Sequence, residues 1–177
     1  LVLHAVIVNL AIGLAVSAVF LLWGRPIFAL LGGEGAALDA AVTYANVVFA
    51  GNALLWLLNG LASVIRGTGN MLVPALVICA GVVVLVPLSP VLIFGLGPLP
   101  GLGIAGGGVA LVLFYAGGTA VLGWYILSGR NLARFRWVAP RWALFRAILR
   151  VGAVGAVTSL QTNVTIALLT ALTAGAA

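Results

Sequence analysis

The sequence predicts an all-α integral membrane protein, a bundle of transmembrane helices, and three features of its 177 residues carry that reading. Hydrophobic residues make up 64% of the chain and charged residues 6%, against about 25% charged in an average soluble domain. So few polar side chains cannot cover a water-soluble globule, and the same balance excludes a disordered chain. The mean hydropathy is +1.33, and the apolar residues fall in long runs rather than in the alternation of a β-barrel.

A helix needs roughly 20 apolar residues to cross a bilayer, and four windows qualify before a fifth begins. The first runs from Leu1 to Gly24 and is closed by Arg25-Pro26; it is too long for a signal-peptide core and lacks a basic leader. Leu31 to Asp39 reads as a turn carrying both acids of the chain, and Ala40 to Ile65 as the second span. Arg66-Gly67-Thr68-Gly69-Asn70 is a tight connection. The uncharged stretch that follows is too long for one helix, and its break falls at Gly95–Gly103, where prolines and glycines stop helices. Spans are therefore expected near Met71–Phe94 and Ile104–Leu127, with a fifth from about Val151 to the end. The chain has no starting Met and ends in an apolar stretch, so it reads as a piece of a longer protein.

The charges orient these spans. All basic residues are Arg: Arg25, Arg66, Arg130, Arg134, Arg136, Arg141, Arg146 and Arg150. The pI of 11.2 does not indicate nucleic acid, which needs basic residues over a soluble face. Clustered between spans, they mark a cytoplasmic loop instead. Counting back puts Gly95–Gly103 outside, Arg66 inside, and Glu34 and Asp39 outside, leaving Arg25 as the one Arg on the outer side. Within the loop, Trp142, Phe145 and Leu149 share a helical stripe with Arg146 and Arg150 beside it. That segment either lies along the membrane with its Arg side chains at lipid phosphates, or is an ordinary basic loop entering the fifth helix. Arg without Lys among much Ala, Gly and Val points to a GC-rich bacterial genome, and hence to a bacterial inner membrane.

Several short motifs carry less than they promise. Gly101-Leu-Gly103-Ile-Ala-Gly106 matches a dinucleotide fingerprint literally, but no Asp or Glu follows to hold a ribose. Small residues opening a tightly packed helix explain it better. Asn163-Val-Thr165 resembles a glycosylation acceptor but lies inside the fifth span. Cys79 is the single cysteine, so neither an intrachain disulfide nor a cysteine metal site can form. There is no phosphate-binding loop and no carboxylate inside a span. An enzyme, a metal or an organic cofactor is accordingly not expected.

The polar residues inside spans are the candidates for function. Pro87 and Pro90 remove backbone donors and free carbonyls near Val83 and Val86, which suits either a bent helix lining a solvated path or a kink that only shapes packing. Tyr44, Asn52 and Asn59 come close to one stripe of the second span; they either line a path or hydrogen-bond between helices. His4, alone at a helix start, reads as an interfacial residue.

Val64-Ile-Arg66-Gly67-Thr68-Gly69-Asn70-Met-Leu-Val-Pro74 resembles the signature at the end of the fourth helix in multidrug and toxic compound extrusion (MATE) transporters. Pro87-Leu88, Leu92-Ile-Phe-Gly95 and Gly103-Ile-Ala-Gly106-Gly-Gly-Val-Ala110 follow at spacings similar to that family's fifth and sixth helices. Leu30-Leu-Gly32 and the Tyr44 region are similar to its third-to-fourth helix turn. The resemblance implies part of a fold of two six-helix lobes. Residues 1–129 would be helices three to six, 130–150 the cytoplasmic inter-lobe loop, and 151–177 the start of helix seven. It also implies antiport of organic cations against protons or sodium by alternating access, with the rest of the same transporter and the lipid bilayer as partners.

Two departures from the family pattern bear on coupling. Aligned on Ile93-Phe94-Gly95, the family's Asn and Asp-or-Asn cation ligands of helix five fall on Leu85 and Ser89, and leucine cannot coordinate an ion. Where some members have a Glu in helix seven, the nearest residues are Gln161 and Thr162. Tyr44, Asn46, Ser89, Gln161 and Asn163 are the expected pathway residues. Two alternatives remain open at this point: a lipid-linked oligosaccharide flippase of the same superfamily, which would want its cations in a central cavity, and a helical membrane subunit that transports nothing.

Overall fold

The computed structural model describes residues 2–96, 99–132, 142, 144–146, 148–150 and 152. Two units separate, one comprising Val2–Val138 and the other Leu1 with Ala139–Ala177. In the first, α1 (Val2–Leu30), α2 (Gly35–Ala50), α3 (Asn52–Gly67), α4 (Leu72–Phe94) and α5 (Ile104–Leu127) are joined by short turns. Two-residue strands β1 (Gly95–Leu96) and β2 (Leu99–Pro100) pair antiparallel between α4 and α5. In the second unit, every described position from 142 to 152 is helical.

Three helices, α1, α4 and α5, are each long and apolar enough to cross a membrane, and α2 and α3, bent by 48° at Gly51, meet the same test only when taken together. The expected windows therefore hold, with three corrections. First, α1 continues through Pro26 to Leu30. Pro26 gives up the bond to the Leu22 carbonyl and crowds it, and α1 ends one turn later. Second, the turn is only Leu31–Glu34, and Asp39 belongs to α2. Gly32 at φ +91° reverses the chain in one step, with its N–H bonded to Ala29 O at 3.1 Å and that of Gly33 to Phe28 O at 3.0 Å. This is a Schellman ending, for which the left-handed position suits glycine. Third, the second span is not one helix, because it bends at Gly51. The fifth span, expected from Val151, lies outside the described residues.

Packing proceeds in order: α1 against the bent α2–α3 pair, α5 against the other side of that pair, and α4 against α5. In lipid no water drives apolar side chains together, so close van der Waals approach and interhelical hydrogen bonds must hold the helices. Glycines supply the approach. At the bend, a Cβ on Gly51 would overlap Val112 of α5, and one on Gly106 would overlap the Leu92 carbonyl of α4. Hydrogen bonds add specificity: Asn52 Nδ2 donates to Gly13 O at 3.2 Å, and Thr119 Oγ1 to Leu54 O at 3.1 Å. The buried cluster of Val2, Leu58, Leu61, Ala62, Ile65, Leu122 and Ile126 joins the start of α1 to the ends of α3 and α5. His4 lies at the same end and is buried to 1% exposure, not interfacial as its position suggests. It occupies the stretch of α1, between Val2 and Val6, that packs onto this cluster.

Both ends of the bundle are tied. At the end expected to be outer, Arg25 Nη1 pairs with Asp39 Oδ1 at 2.8 Å. Both side chains are more than half exposed, so the pair contributes about 0–1 kcal/mol, yet it gives Arg25 a counter-ion. At the other end, Asn70 Oδ1 accepts from the Val73 N–H at 3.1 Å and caps the start of α4. Its Nδ2 donates to Tyr125 Oη at 3.0 Å, and that hydroxyl reaches Arg130 O at 3.4 Å. Thr68 Oγ1 is 2.6 Å from Ile65 O and 2.8 Å from the Asn131 amide. One hydroxyl hydrogen cannot serve both, so Thr68 donates to the carbonyl while the Asn131 amide, turned to present its NH2, donates to Thr68.

Two substitutions of equal size should separate in thermal unfolding of the intact, detergent-solubilised protein. Gly106→Ala forces α4 and α5 apart and should destabilise by about 1–3 kcal/mol. Gly117→Ala meets nothing within 4 Å, so it should be neutral or stabilise by about 0.4–1 kcal/mol. At the tied end, Asn70→Ala loses a cap and a side-chain bond together and should cost about 1–3 kcal/mol. Tyr125→Phe loses only the hydroxyl and should cost less in the same assay.

Candidate substrate pathway

Tyr44 of α2 and Ile93 of α4 approach the same place from different helices. A side chain added at Gly107 of α5 would lie 3.7 Å from Tyr44 Cε2 and 3.5 Å from Ile93 Cδ1, so the glycine is the floor on which both residues rest. Ser89 precedes Ile93 by one helical turn on the same face of α4 and is half-buried. Tyr44 is 37% exposed. Asn46, two residues further along α2, points to a different side and is exposed. Among the described residues no hydrogen bond engages the side chain of Tyr44, Asn46 or Ser89. Gln161 and Asn163 lie outside the described residues.

The polar stripe read along the second span does not survive as a single surface. The bend at Gly51 separates Tyr44 from Asn52, and Asn52, 5% exposed, is committed to the Gly13 carbonyl. Asn59 is exposed but bonds Leu55 O of its own helix at 3.0 Å. Asn9 likewise bonds Ala5 O at 2.8 Å and packs onto Gly60. Polar residues in the spans thus divide into helix-to-helix bonds, such as Asn52 and Thr119, and open groups, such as Tyr44 and Ser89.

A cavity of about 600 Å³ opens between α4 and α5. Val77, Gly81, Leu85, Phe114, Gly118 and Val121 are among the residues lining it, and no lining residue is polar or charged. Leu85 thus faces hydrocarbon, in keeping with a position that cannot hold a cation. Sequence reading missed this cavity. Its only trace was the glycine content of the facing helices at Gly81 and Gly117-Gly118. Both prolines of α4 are exposed, as are Val83 and Val86, whose carbonyls they leave without helical donors, and α4 runs unbroken through them to Phe94.

Charge is confined to the ends of the described helices. Glu34 and Asp39 flank the α1–α2 turn, and among the described residues no cluster of His, Cys, Asp and Glu could hold a metal ion. Arg66 Nη2 donates to Ser63 Oγ at 3.3 Å, and the Arg130 guanidinium lies 5.1 Å from the Trp124 ring centroid. Arg146 and Arg150 are exposed. Arg134, Arg136 and Arg141 lie outside the described residues. An apolar cavity of this size can accommodate the apolar part of a small molecule.

Comparison with known proteins agrees with that geometry. The chain is 31% identical over 121 residues to a FAD transporter of Shewanella oneidensis, covering 68% of this chain and 27% of that protein. The fold matches a multidrug resistance MATE family transporter of the MOP superfamily, solved in an inward-facing conformation, with a TM-score of 0.74 at 24% identity. That match covers 86% of this chain and 34% of the solved one, so the chain spans about a third or less of the relatives' lengths. The family model MatE matches residues 1–91, just over half of the chain. The chain is an all-α membrane bundle with the fold of part of a MATE transporter, and it belongs to the MatE family.

Proposed function

We propose that this chain forms part of a secondary transporter, not an enzyme, that exports amphipathic, cationic compounds across a bacterial inner membrane in exchange for protons or sodium. Residues 1–129 then act as helices three to six of the first lobe, 130–150 as the inter-lobe link and 151–177 as the start of the second lobe. Transport proceeds by rocking of the lobes about a central cavity. The observation that carries this reading is that Tyr44 on α2 and Ser89 on α4 are polar groups without a side-chain hydrogen bond among the described residues, in spans that are mostly apolar. A tyrosine face attracts an organic cation, a serine hydroxyl accepts or donates one hydrogen bond, and neither anchors a substrate so firmly that it cannot leave. No acid of this chain lies deep in a described span, so the coupling proton or sodium ion binds elsewhere in the transporter. Gln161 and Asn163 are this chain's remaining candidates for lining the path.

A second reading has one observation in its favour, the identity to a protein named as a FAD transporter. There the Tyr44 ring would stack on a planar flavin. The two separate in vesicles containing the intact transporter under an imposed proton or sodium gradient. An organic cation dye should accumulate on the cation reading, and a flavin nucleotide on the other.

On either reading, Tyr44→Ala and Ser89→Ala should each lower transport efficiency about 2- to 10-fold, the worth of one weak polar contact, with unchanged thermal stability. Asn52→Ala should instead lower stability, because it leaves the Gly13 carbonyl without its donor. Unchanged transport in both pathway variants would show that these residues do not meet the substrate.

A further inference from the structure

We propose that Trp142, Arg146 and Arg150 form a docking surface for anionic phospholipid headgroups at the cytoplasmic face of the membrane. Their spacing of four residues sets them along one line of a helix, and every described position from 142 to 152 is helical. All three are exposed, Trp142 to 75%. Leu149, 46% exposed, adds apolar surface beside the line. Tryptophan favours the boundary between hydrocarbon and headgroups, and the arginine fork matches a phosphate with two parallel hydrogen bonds.

Charge complementarity decides the occupant. The sequence contains two acids, Glu34 and Asp39, and none after them; Asp39 is already bonded to Arg25. Six arginines between positions 130 and 150 thus outnumber Glu34, the one acid that remains, and this sequence cannot balance their charge. The nearest dense source of anions to a membrane-embedded chain is the lipid surface itself. Trp124 and Arg130 already combine an aromatic ring with a guanidinium at the end of α5. The surface rests on the chain's place in a membrane and not on what the transporter carries.

The test uses the intact transporter in phosphatidylcholine vesicles with or without phosphatidylglycerol. Trp142 fluorescence is obtained as the difference between wild type and Trp142→Phe. Brominated phosphatidylglycerol should quench that component more strongly than an equal amount of brominated phosphatidylcholine. The excess should be lost in the double variant Arg146→Gln/Arg150→Gln, and in wild type it should shrink as salt is raised. The wild-type salt titration stands whether or not the double variant folds. Equal quenching by the two lipids, or an excess that ignores salt, overturns the proposal. Absence of quenching by either lipid also overturns it, since the face would then be covered by protein.

Discussion

The constraint on which this molecule depends is that its backbone must satisfy itself in a solvent that offers no hydrogen bonds. Helices meet that demand within each span, but they leave apolar cylinders that lipid wets as readily as their neighbours do. Contact at short range then has to do what the hydrophobic effect does in water. That is why glycines sit at the crossings of this bundle. The bend at Gly51 exists where α5 comes close enough for Val112 to fill the space of a side chain, and Gly106 lets α5 rest on the Leu92 carbonyl. Buried amide and hydroxyl bonds, Asn52 to Gly13 and Thr119 to Leu54, then fix register rather than supply most of the energy.

The same constraint sorts the polar residues by role. A polar group that lipid surrounds must find a partner, so Asn52 and Thr119 bond across helices and Asn9 and Asn59 back onto their own turn. Tyr44 and Ser89 differ in being left open, and for that reason they carry the proposed pathway. The cavity between α4 and α5 is different again. Lined wholly by apolar residues, it can accept hydrocarbon but cannot orient a charge.

Much of this was legible in the sequence because hydropathy and glycine-proline punctuation are local signals. The breaks at Arg66–Asn70 and Gly95–Gly103 fell where they were read. The misreadings came from tertiary causes. Pro26 stops a helix in general, but α1 runs one turn past it. Gly51 looks like any glycine in a helical run until Val112 is placed against it. The even spacing of Tyr44, Asn52 and Asn59 assumed a straight helix, and the 48° bend sends Asn52 inward to α1. The apolar cavity has no polar signature at all, because it is made by side chains that are small on two different helices.

The account turns on Tyr44 and Ser89 standing open to water at some stage of a transport cycle while Asn52 never does. Thiol accessibility measures this directly. In the intact transporter with Cys79 replaced by Ser, single variants Tyr44→Cys, Ser89→Cys and Asn52→Cys are exposed to a membrane-impermeant thiol reagent, with and without substrate. Labelling at positions 44 and 89 that changes when substrate is added, with none at position 52, is the result predicted. Positions 44 and 89 that stay unlabelled in every condition, in a protein that still transports, would contradict it.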